Sequence, residues 1–166
     1  MLNSDLHIHS YLSRDAHCPD MTAEFIVGEA ERRGYDSICV TDHVWDANAG
    51  FGDIAEADDE IGAMPWYKSQ PIERAREILP LPPSETVKTY FGIEAEYLGG
   101  ERLGLTREGF ETMDHVNIAI SHFHLIGFTR PKEISTPKQL AALLAERLVQ
   151  KLGLTPDREY KVKGRK

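Results

Sequence analysis

The sequence contains only two cysteines, Cys18 and Cys39, and no C-x-x-C pair. Two cysteines cannot form a disulfide framework, and structural zinc sites usually take their thiolates from closely spaced pairs. The amino-terminal residues lack the basic and apolar segments of a secretion signal, and no run of about 18 apolar residues predicts a membrane span. These absences predict a soluble protein of the reducing cytoplasm.

Positive charge is also scarce: the sequence has 19 Lys and Arg but 27 Asp and Glu, which gives a net charge of −8. A field of this sign repels nucleic acid, so a nucleic-acid partner is not expected, whereas divalent cations remain compatible with it. The exception is the segment of residues 158–166, which has five basic side chains and one acidic side chain. We therefore predict a domain of residues 1–157 and a basic tail of residues 158–166.

The 166 residues have the length of one globular domain, and their apolar pattern predicts an α/β fold. The predicted strands are residues 5–9, 36–41, 87–95 and 116–121. The predicted helices run from Thr22 to Gly34, over residues 71–79, over residues 106–113, and from Thr136 to Gly153. This alternation predicts a parallel sheet with right-handed crossover connections.

The segment of residues 45–69 interrupts the alternation. It contains six acidic side chains and is longer than most connections between neighbouring elements. Long connections of this kind are usually functional or mobile, so we predict that the segment forms a lid.

Histidine and carboxylate side chains lie at the ends of all four predicted strands. They are His7 and His9, Asp42 and His43, Glu94 and Glu96, and His122 and His124. Parallel strands bring their carboxyl ends to one face, where the active sites of α/β proteins are built. His7 and His9 share one side of their strand because side chains alternate with a period of two. Imidazoles and carboxylates are ligands of zinc, iron and manganese, so the pattern predicts a multinuclear metal site.

Five segments follow one another in the order of the first motifs of a known family. They are Asp5-Leu6-His7-Ile8-His9-Ser10, Ser13-Arg14-Asp15, Thr41-Asp42-His43, Gly92-Ile93-Glu94 and Ser121-His122-Phe123. Together they resemble the PHP (polymerase and histidinol phosphatase) family of metal-dependent phosphoesterases. The surroundings of Trp45, Trp66-Tyr67 and Gln70 are similar to the histidinol-phosphatase-like branch. The resemblance implies a distorted, TIM-barrel-like (β/α)7 barrel, of which this chain supplies the N-terminal part with about four parallel strands.

The resemblance also implies up to three divalent ions of zinc, manganese or iron. The implied ligand sets are His7, His9 and Glu94 for the first ion, Glu94 and His122 for the second, and Asp15 and His43 for the third. Asp42 would orient His43 or the nucleophile, and Asp42 and Glu94 would be the catalytic carboxylates. Glu96 and His124 match no ligand of the family, and structural roles are expected for His17, Cys18 and His115.

Two further ligands of the family have no counterpart in this sequence. They are a histidine in a later His-Pro strand and an Asp-x-His near the end of the barrel, whereas no histidine follows His124. We therefore expect a C-terminally incomplete PHP barrel that binds fewer than three ions.

An incomplete barrel predicts self-association or marginal stability. The strand of residues 116–121 would keep an unpaired edge, and the apolar stripe of Leu140, Leu144 and Leu148 would stay partly exposed. Analytical ultracentrifugation and thermal melting test this expectation. A monodisperse monomer with a cooperative transition above about 65 °C would contradict it.

The reaction implied by the resemblance is hydrolysis of a small phosphate monoester, with histidinol phosphate, a metabolite of histidine biosynthesis, as the first substrate to consider. One alternative is an inactive fragment that acts at most as a metal-binding or interaction module. A second alternative is an amidohydrolase-type metal hydrolase, which also begins with His-x-His at a strand end. Such enzymes normally use a lysine or carboxylate on a middle strand, and Lys88 lies at the wrong end of its predicted strand.

Overall fold

The computed structural model describes residues 3–16, 18–51, 59–100 and 102–152. His17, residues 52–58 of the predicted lid and the predicted basic tail of residues 158–166 therefore lie outside the described residues. Within the described part of the chain, no helix has the length and apolar character needed to cross a membrane.

The described chain alternates strands and helices as the apolar pattern predicts. The strands are β1 (Ser4–Ile8), β2 (Ser37–Val44), β3 (Lys88–Gly99), β4 (Arg102–Leu103) and β5 (His115–Ala119). The helices are α1 (Ala23–Arg33), α2 (Ala63–Lys68), α3 (Ile72–Arg76), α4 (Arg107–Phe110) and α5 (Pro137–Leu152), with a short 3-10 turn over Ala47–Ala49.

Four of the five strands form one parallel sheet in the order β1, β2, β3, β5. The predicted α/β class and the four parallel strands are thus confirmed. The short strand β4 was not predicted, and it pairs antiparallel with the end of β3. Gly99 and Gly100, both with positive φ values of 99° and 59°, make the reversal between β3 and β4 without the steric cost of a side chain.

The sheet curls into a half-barrel with flanking helices. β1 and β5 are at opposite edges, yet the Asn117 side-chain amide on β5 donates a hydrogen bond of 3.0 Å to the Leu6 carbonyl on β1. The same amide lies 3.4 Å from the Thr41 hydroxyl on β2. A flat sheet would separate these strands too widely for one side chain to join them. Among the described strands the outer edges of β1 and β5 stay unpaired, and self-association remains a prediction.

The two faces of the sheet differ in chemistry because side chains alternate along each strand. The convex face is apolar: α1 packs on Ile38 and Val40, and α3 packs on Phe91, Ile93 and Ala95. The other set of side chains on β2 and β3 includes His43, Glu94 and Glu96, which face the concave side. The helices thus cover the apolar face and leave the polar face for the candidate site.

Local sequence signals place the ends of the two longest helices. The Thr22 hydroxyl accepts a hydrogen bond from the Phe25 amide, and Gly34 with a φ of 70° ends α1, as predicted. Thr136 and Gln139 form a reciprocal cap at the start of α5. The predicted helices over residues 71–79 and 106–113 are shorter in the structure, where they are α3 and α4. β3 continues to Gly99, four residues beyond the predicted end at Ala95, because β4 pairs with its last residues.

A buried arginine, and not the predicted leucine stripe alone, connects α5 to the sheet. Arg147 is 1% exposed and donates hydrogen bonds to the carbonyls of Ile120 and Thr129. Leu148 is 39% exposed, and Leu140 and Leu144 are half-buried, so the stripe is partly exposed as expected.

Candidate metal centre

Three donor atoms from β1, its following loop and β3 converge on one point. His7 Nε2 and His9 Nε2 lie 2.9 Å and 3.0 Å from the same oxygen of Glu94, Oε2, and 3.2 Å from each other. The Glu94 side chain is buried, with 4% of its surface exposed. The pairing of β1 with β2 shifts between Asp5 and Ile8, and such bulges commonly re-aim side chains beside sites. The period-two expectation that His7 and His9 share one face agrees with this geometry.

The loop after β1 brings Asp15 to a second group of donors. Asp15 Oδ2 lies 2.9 Å from His9 Nδ1 and 3.5 Å from His43 Nε2. The Ser13 hydroxyl donates a hydrogen bond to the other carboxylate oxygen of Asp15. His9 therefore faces a carboxylate with each of its two ring nitrogens.

The third group joins β2, β3 and the segment after β5. His43 and Glu94 are direct partners in the register of β2 and β3, and His43 Nδ1 lies 3.4 Å from Glu94 Oε2. His122 Nε2 lies 3.6 Å from the other oxygen, Glu94 Oε1. His43 Nδ1 is buried and has no hydrogen-bond partner among the described residues. A buried ring nitrogen of this kind, aimed at a carboxylate, fits a metal ligand.

Each of these three groups could hold a metal ion, because its ligand atoms lie within 4.8 Å of one another. The groups overlap: Glu94 belongs to two of them, as do His9 and His43. A carboxylate has two oxygens and can bridge two ions, whereas a neutral imidazole offers one lone pair. All three groups therefore cannot be filled at once by neutral histidines.

The electrostatics of the centre keep its carboxylates charged. Burial raises the pKa of Glu94, but the hydrogen bond from His9 and the charges of His43 and His7 outweigh it and lower the pKa to about 2. Burial also opposes ionisation of Asp15, yet hydrogen bonds from His43, His9 and Ser13 hold its pKa well below the usual range. Burial lowers the pKa of His9, whereas its hydrogen bonds to the two carboxylates raise it to about 10. The neighbouring histidines thus favour the anionic form of both carboxylates, which is the form that binds cations.

Glu96 makes contacts in the centre that the sequence motifs did not indicate. It is fully buried on β3, accepts a hydrogen bond from the Tyr67 hydroxyl, and lies 2.7 Å from His122 Nδ1. The hydrogen bond to Glu96 raises the pKa of His122, and burial opposes this effect only in part. The spacing Glu94-x-Glu96 was the available signal, since it places both carboxylates on one face of a strand. Its two partners, Tyr67 and His122, are 29 and 26 residues away in the chain, so the local spacing does not indicate them.

Asp42 contacts a different partner from the one expected. Its two carboxylate oxygens accept hydrogen bonds of 2.5 Å and 2.6 Å from the Ser10 amide and hydroxyl. Asp42 and His43 are neighbours on β2, so their side chains point to opposite faces of the sheet. Burial raises the pKa of Asp42. Asp42 thus holds the loop that follows His9, in place of the expected contact with the His43 ring.

The remaining candidate residues lie beside the clusters or away from them. The rings of His124 and His122 are 5.3 Å apart, and burial lowers the pKa of His124. His115 interacts with Asn117 Oδ1 at 2.9 Å on β5. Cys39 is buried and Cys18 is exposed, each as a free thiol.

The three groups form the floor of a cavity of about 550 Å³. Helix α2, which lies within the predicted lid segment, supplies one wall with Trp66 and Tyr67, and Ile61 and Leu125 add apolar surface. The ring of Trp66 stands edge-on to His43 at 5.5 Å. A cavity of this size, with convergent polar groups on an otherwise apolar wall, suits a small molecule.

The half-barrel and the three histidine–carboxylate groups that could hold a metal ion are properties of the structure, whereas membership of the PHP family remains a prediction from five sequence motifs. The comparisons with known proteins identify no relative that would test it: no protein-family model, no curated protein and no solved structure matches this chain.

Proposed function

We propose that this chain belongs to the PHP family and is a metal-dependent phosphoesterase that hydrolyses a small phosphate monoester. The observation that carries the proposal is the overlap of three histidine–carboxylate groups around Glu94 on the floor of one cavity. Metal ions placed side by side are the usual arrangement for phosphoester hydrolysis. The five motifs that resemble the PHP family support the same reaction.

Two of the three groups share only Glu94 and can be filled together. The first would use His7, His9 and Glu94, and the second would use His43, Glu94 and His122. Zinc, manganese and iron all accept this donor set. When bound, such ions activate water and neutralise the charge of a phosphoryl group during its transfer.

The protein's own residues fix the geometry of these two groups. Glu94 directs Oε2 toward His7 and His9 and Oε1 toward His122, so one buried carboxylate sets the distance between the groups. Asp15 interacts with His9 Nδ1, which keeps the opposite nitrogen of the ring facing Glu94. Carboxylates that hold ligand histidines in this way are common around metal sites.

The cavity walls would bind the organic part of the substrate. Trp66, Ile61 and Leu125 offer apolar surface above the charged floor, so the phosphate would lie at the floor and the organic part along the wall. Histidinol phosphate combines a phosphate monoester with a planar imidazole, and it remains the first substrate to test.

Phosphate release from histidinol phosphate and from p-nitrophenyl phosphate tests the proposal. The purified chain would be assayed after loading with zinc, manganese or iron(II), with and without a chelator. We expect hydrolysis that depends on the metal and stops when the chelator removes it. Metal binding without hydrolysis would support a metal-binding module instead, and hydrolysis of a cyclic amide but of no phosphate ester would support the amidohydrolase alternative.

We predict that the loaded chain holds fewer than three tightly bound divalent ions. His9 and His43 are each shared between two groups, and each neutral ring binds one ion. Elemental analysis after gel filtration measures the number of ions per chain. Three tightly bound ions would show that further ligands, such as Glu96 or His124, complete the sites.

A further inference from the structure

Glu96 lies beside the ligand groups but belongs to none of the three found among the described residues. Its side chain is completely buried, although carboxylates rarely are without a specific partner. It lies two residues after Glu94 on β3 and on the same face of the sheet. The cost of burying this carboxylate indicates a role that a surface residue could not fill.

One oxygen of Glu96 connects a candidate metal ligand to the wall of the cavity. Glu96 Oε1 accepts a hydrogen bond from the Tyr67 hydroxyl and lies 2.7 Å from His122 Nδ1. The Tyr67 ring is itself fixed, because it stacks on Phe128 with ring centroids 5.3 Å apart and an angle of 8°. The carboxylate is therefore held between β3 and α2, and it holds the His122 ring in turn.

We propose that Glu96 is a positioning residue that, together with Tyr67, fixes the His122 ring as a metal ligand. This inference rests on the proposed metal site. A carboxylate only accepts hydrogen bonds, so His122 Nδ1 carries the proton and donates a hydrogen bond to Glu96 Oε1. The lone pair is then on Nε2, which is the nitrogen that lies 3.6 Å from Glu94 Oε1.

The hydrogen bond does two things for metal binding. It selects the ring form whose free nitrogen points into the site. It also stops rotation of the ring, so that little conformational freedom is lost when a metal binds. Loss of such a partner usually lowers metal affinity about 10- to 100-fold. The effect concerns the group of His43, Glu94 and His122, and leaves the group of His7, His9 and Glu94 largely unaffected.

Zinc titration of the whole chain against a chromophoric chelator tests the inference. We expect one of the two bound zinc ions, the one held by His43, Glu94 and His122, to lose about 10- to 100-fold in affinity in Glu96→Ala, and less in Glu96→Gln and Tyr67→Phe. The amide of Glu96→Gln keeps one acceptor oxygen but loses the charge, and Tyr67→Phe removes only the second hydrogen bond. Glu111→Gln is the matched control, since Glu111 forms an exposed ion pair with Arg107.

The protonation of the His122 ring provides a readout that a purely structural role would not move. Nitrogen-15 spectra of the zinc-free chain, at a pH where the ring is neutral, should show His122 with a proton on Nδ1 in the wild type. In Glu96→Ala we expect a mixture of the two ring forms, with the remaining histidines unchanged. If Glu96→Ala does not fold, Glu96→Gln and Tyr67→Phe carry the same comparison.

The outcomes separate this inference from the proposed function. Wild-type zinc affinity in the Glu96 variants, or a proton on Nε2 of His122 in the wild type, would overturn the positioning role and leave the phosphoesterase proposal standing. A wild-type chain that binds neither zinc, manganese nor iron(II) would overturn both. Selective weakening of one of the two ions in the Glu96 variants, in a chain without phosphatase activity, would support the positioning role and reject the proposed reaction.

Discussion

Replacing Glu94 by glutamine is expected to abolish the proposed phosphatase activity while the fold remains intact. Glu94 belongs to two candidate ligand groups, with Oε2 near His7, His9 and His43 and Oε1 near His122, whereas a glutamine amide has one oxygen and no charge. The second bridging contact is lost, and with it the fixed distance between the two groups. We expect kcat/KM to fall about a thousandfold or more, equal to about 4 kcal/mol of transition-state stabilisation.

The matched control for this prediction is His124→Ala. His124 lines the same cavity, and its ring lies 5.3 Å from the ring of His122, but it belongs to no ligand group among the described residues. Steady-state kinetics at saturating metal should therefore show a small loss for His124→Ala and a large one for Glu94→Gln. Equal losses would mean that the segment after β5 is assigned in the wrong register and that His124 is the ligand.

The features that the sequence predicts well depend on neighbouring residues. Thr22 and Gly34 bound α1 because a hydroxyl cap and a left-handed glycine act within a few residues. The strand-end positions of His43 and of His7 and His9 follow from short apolar runs and from the period of two. Since the four predicted strands are parallel, these local patterns were sufficient to predict that the candidate ligand residues lie on one face.

The features that the sequence does not predict depend on distant partners. Glu96 meets Tyr67 and His122, which are 29 and 26 residues away, and no local pattern encodes either contact. Asp42 is placed next to His43 by the chain, but Ser10, 32 residues away, provides its hydrogen bonds. The positions of these residues were therefore predictable, whereas their partners required the three-dimensional structure.

Asn117 and Arg147 extend this difference to the fold. An asparagine within a strand pattern gives no indication that its amide reaches the opposite edge of the sheet, as Asn117 does at Leu6. Arg147 is seven residues from Leu140 and falls on the predicted apolar stripe, where a charged side chain is not expected to be buried, yet it is buried and donates to two backbone carbonyls. In both cases a polar side chain donates to backbone carbonyls that are distant in the sequence.

Gly92→Ala is expected to destabilise the protein strongly. A Cβ atom at position 92 would lie 2.3 Å from the His115 carbonyl oxygen and 2.9 Å from Cys39 Sγ. The first contact is with the backbone of β5, which pairs with β3 at this position, so no side-chain rotation relieves it. We expect a loss of about 3 kcal/mol and a melting temperature lower by about 10 °C.

The same change at Gly28 is the control, because it separates steric conflict from the general effect of replacing glycine. Gly28 lies within α1, and a Cβ atom there would meet nothing within 4 Å. Alanine favours helix over glycine by about 1 kcal/mol, so Gly28→Ala should melt at or above the wild-type temperature.

Gly92 also lies two residues before Glu94, and pushing β3 away from β5 would separate Glu94 from His122. Gly92→Ala should therefore bind zinc more weakly even at temperatures where it is folded, whereas Gly28→Ala should bind it normally. Wild-type melting and zinc affinity in Gly92→Ala would show that β3 and β5 do not pack as closely as the half-barrel requires.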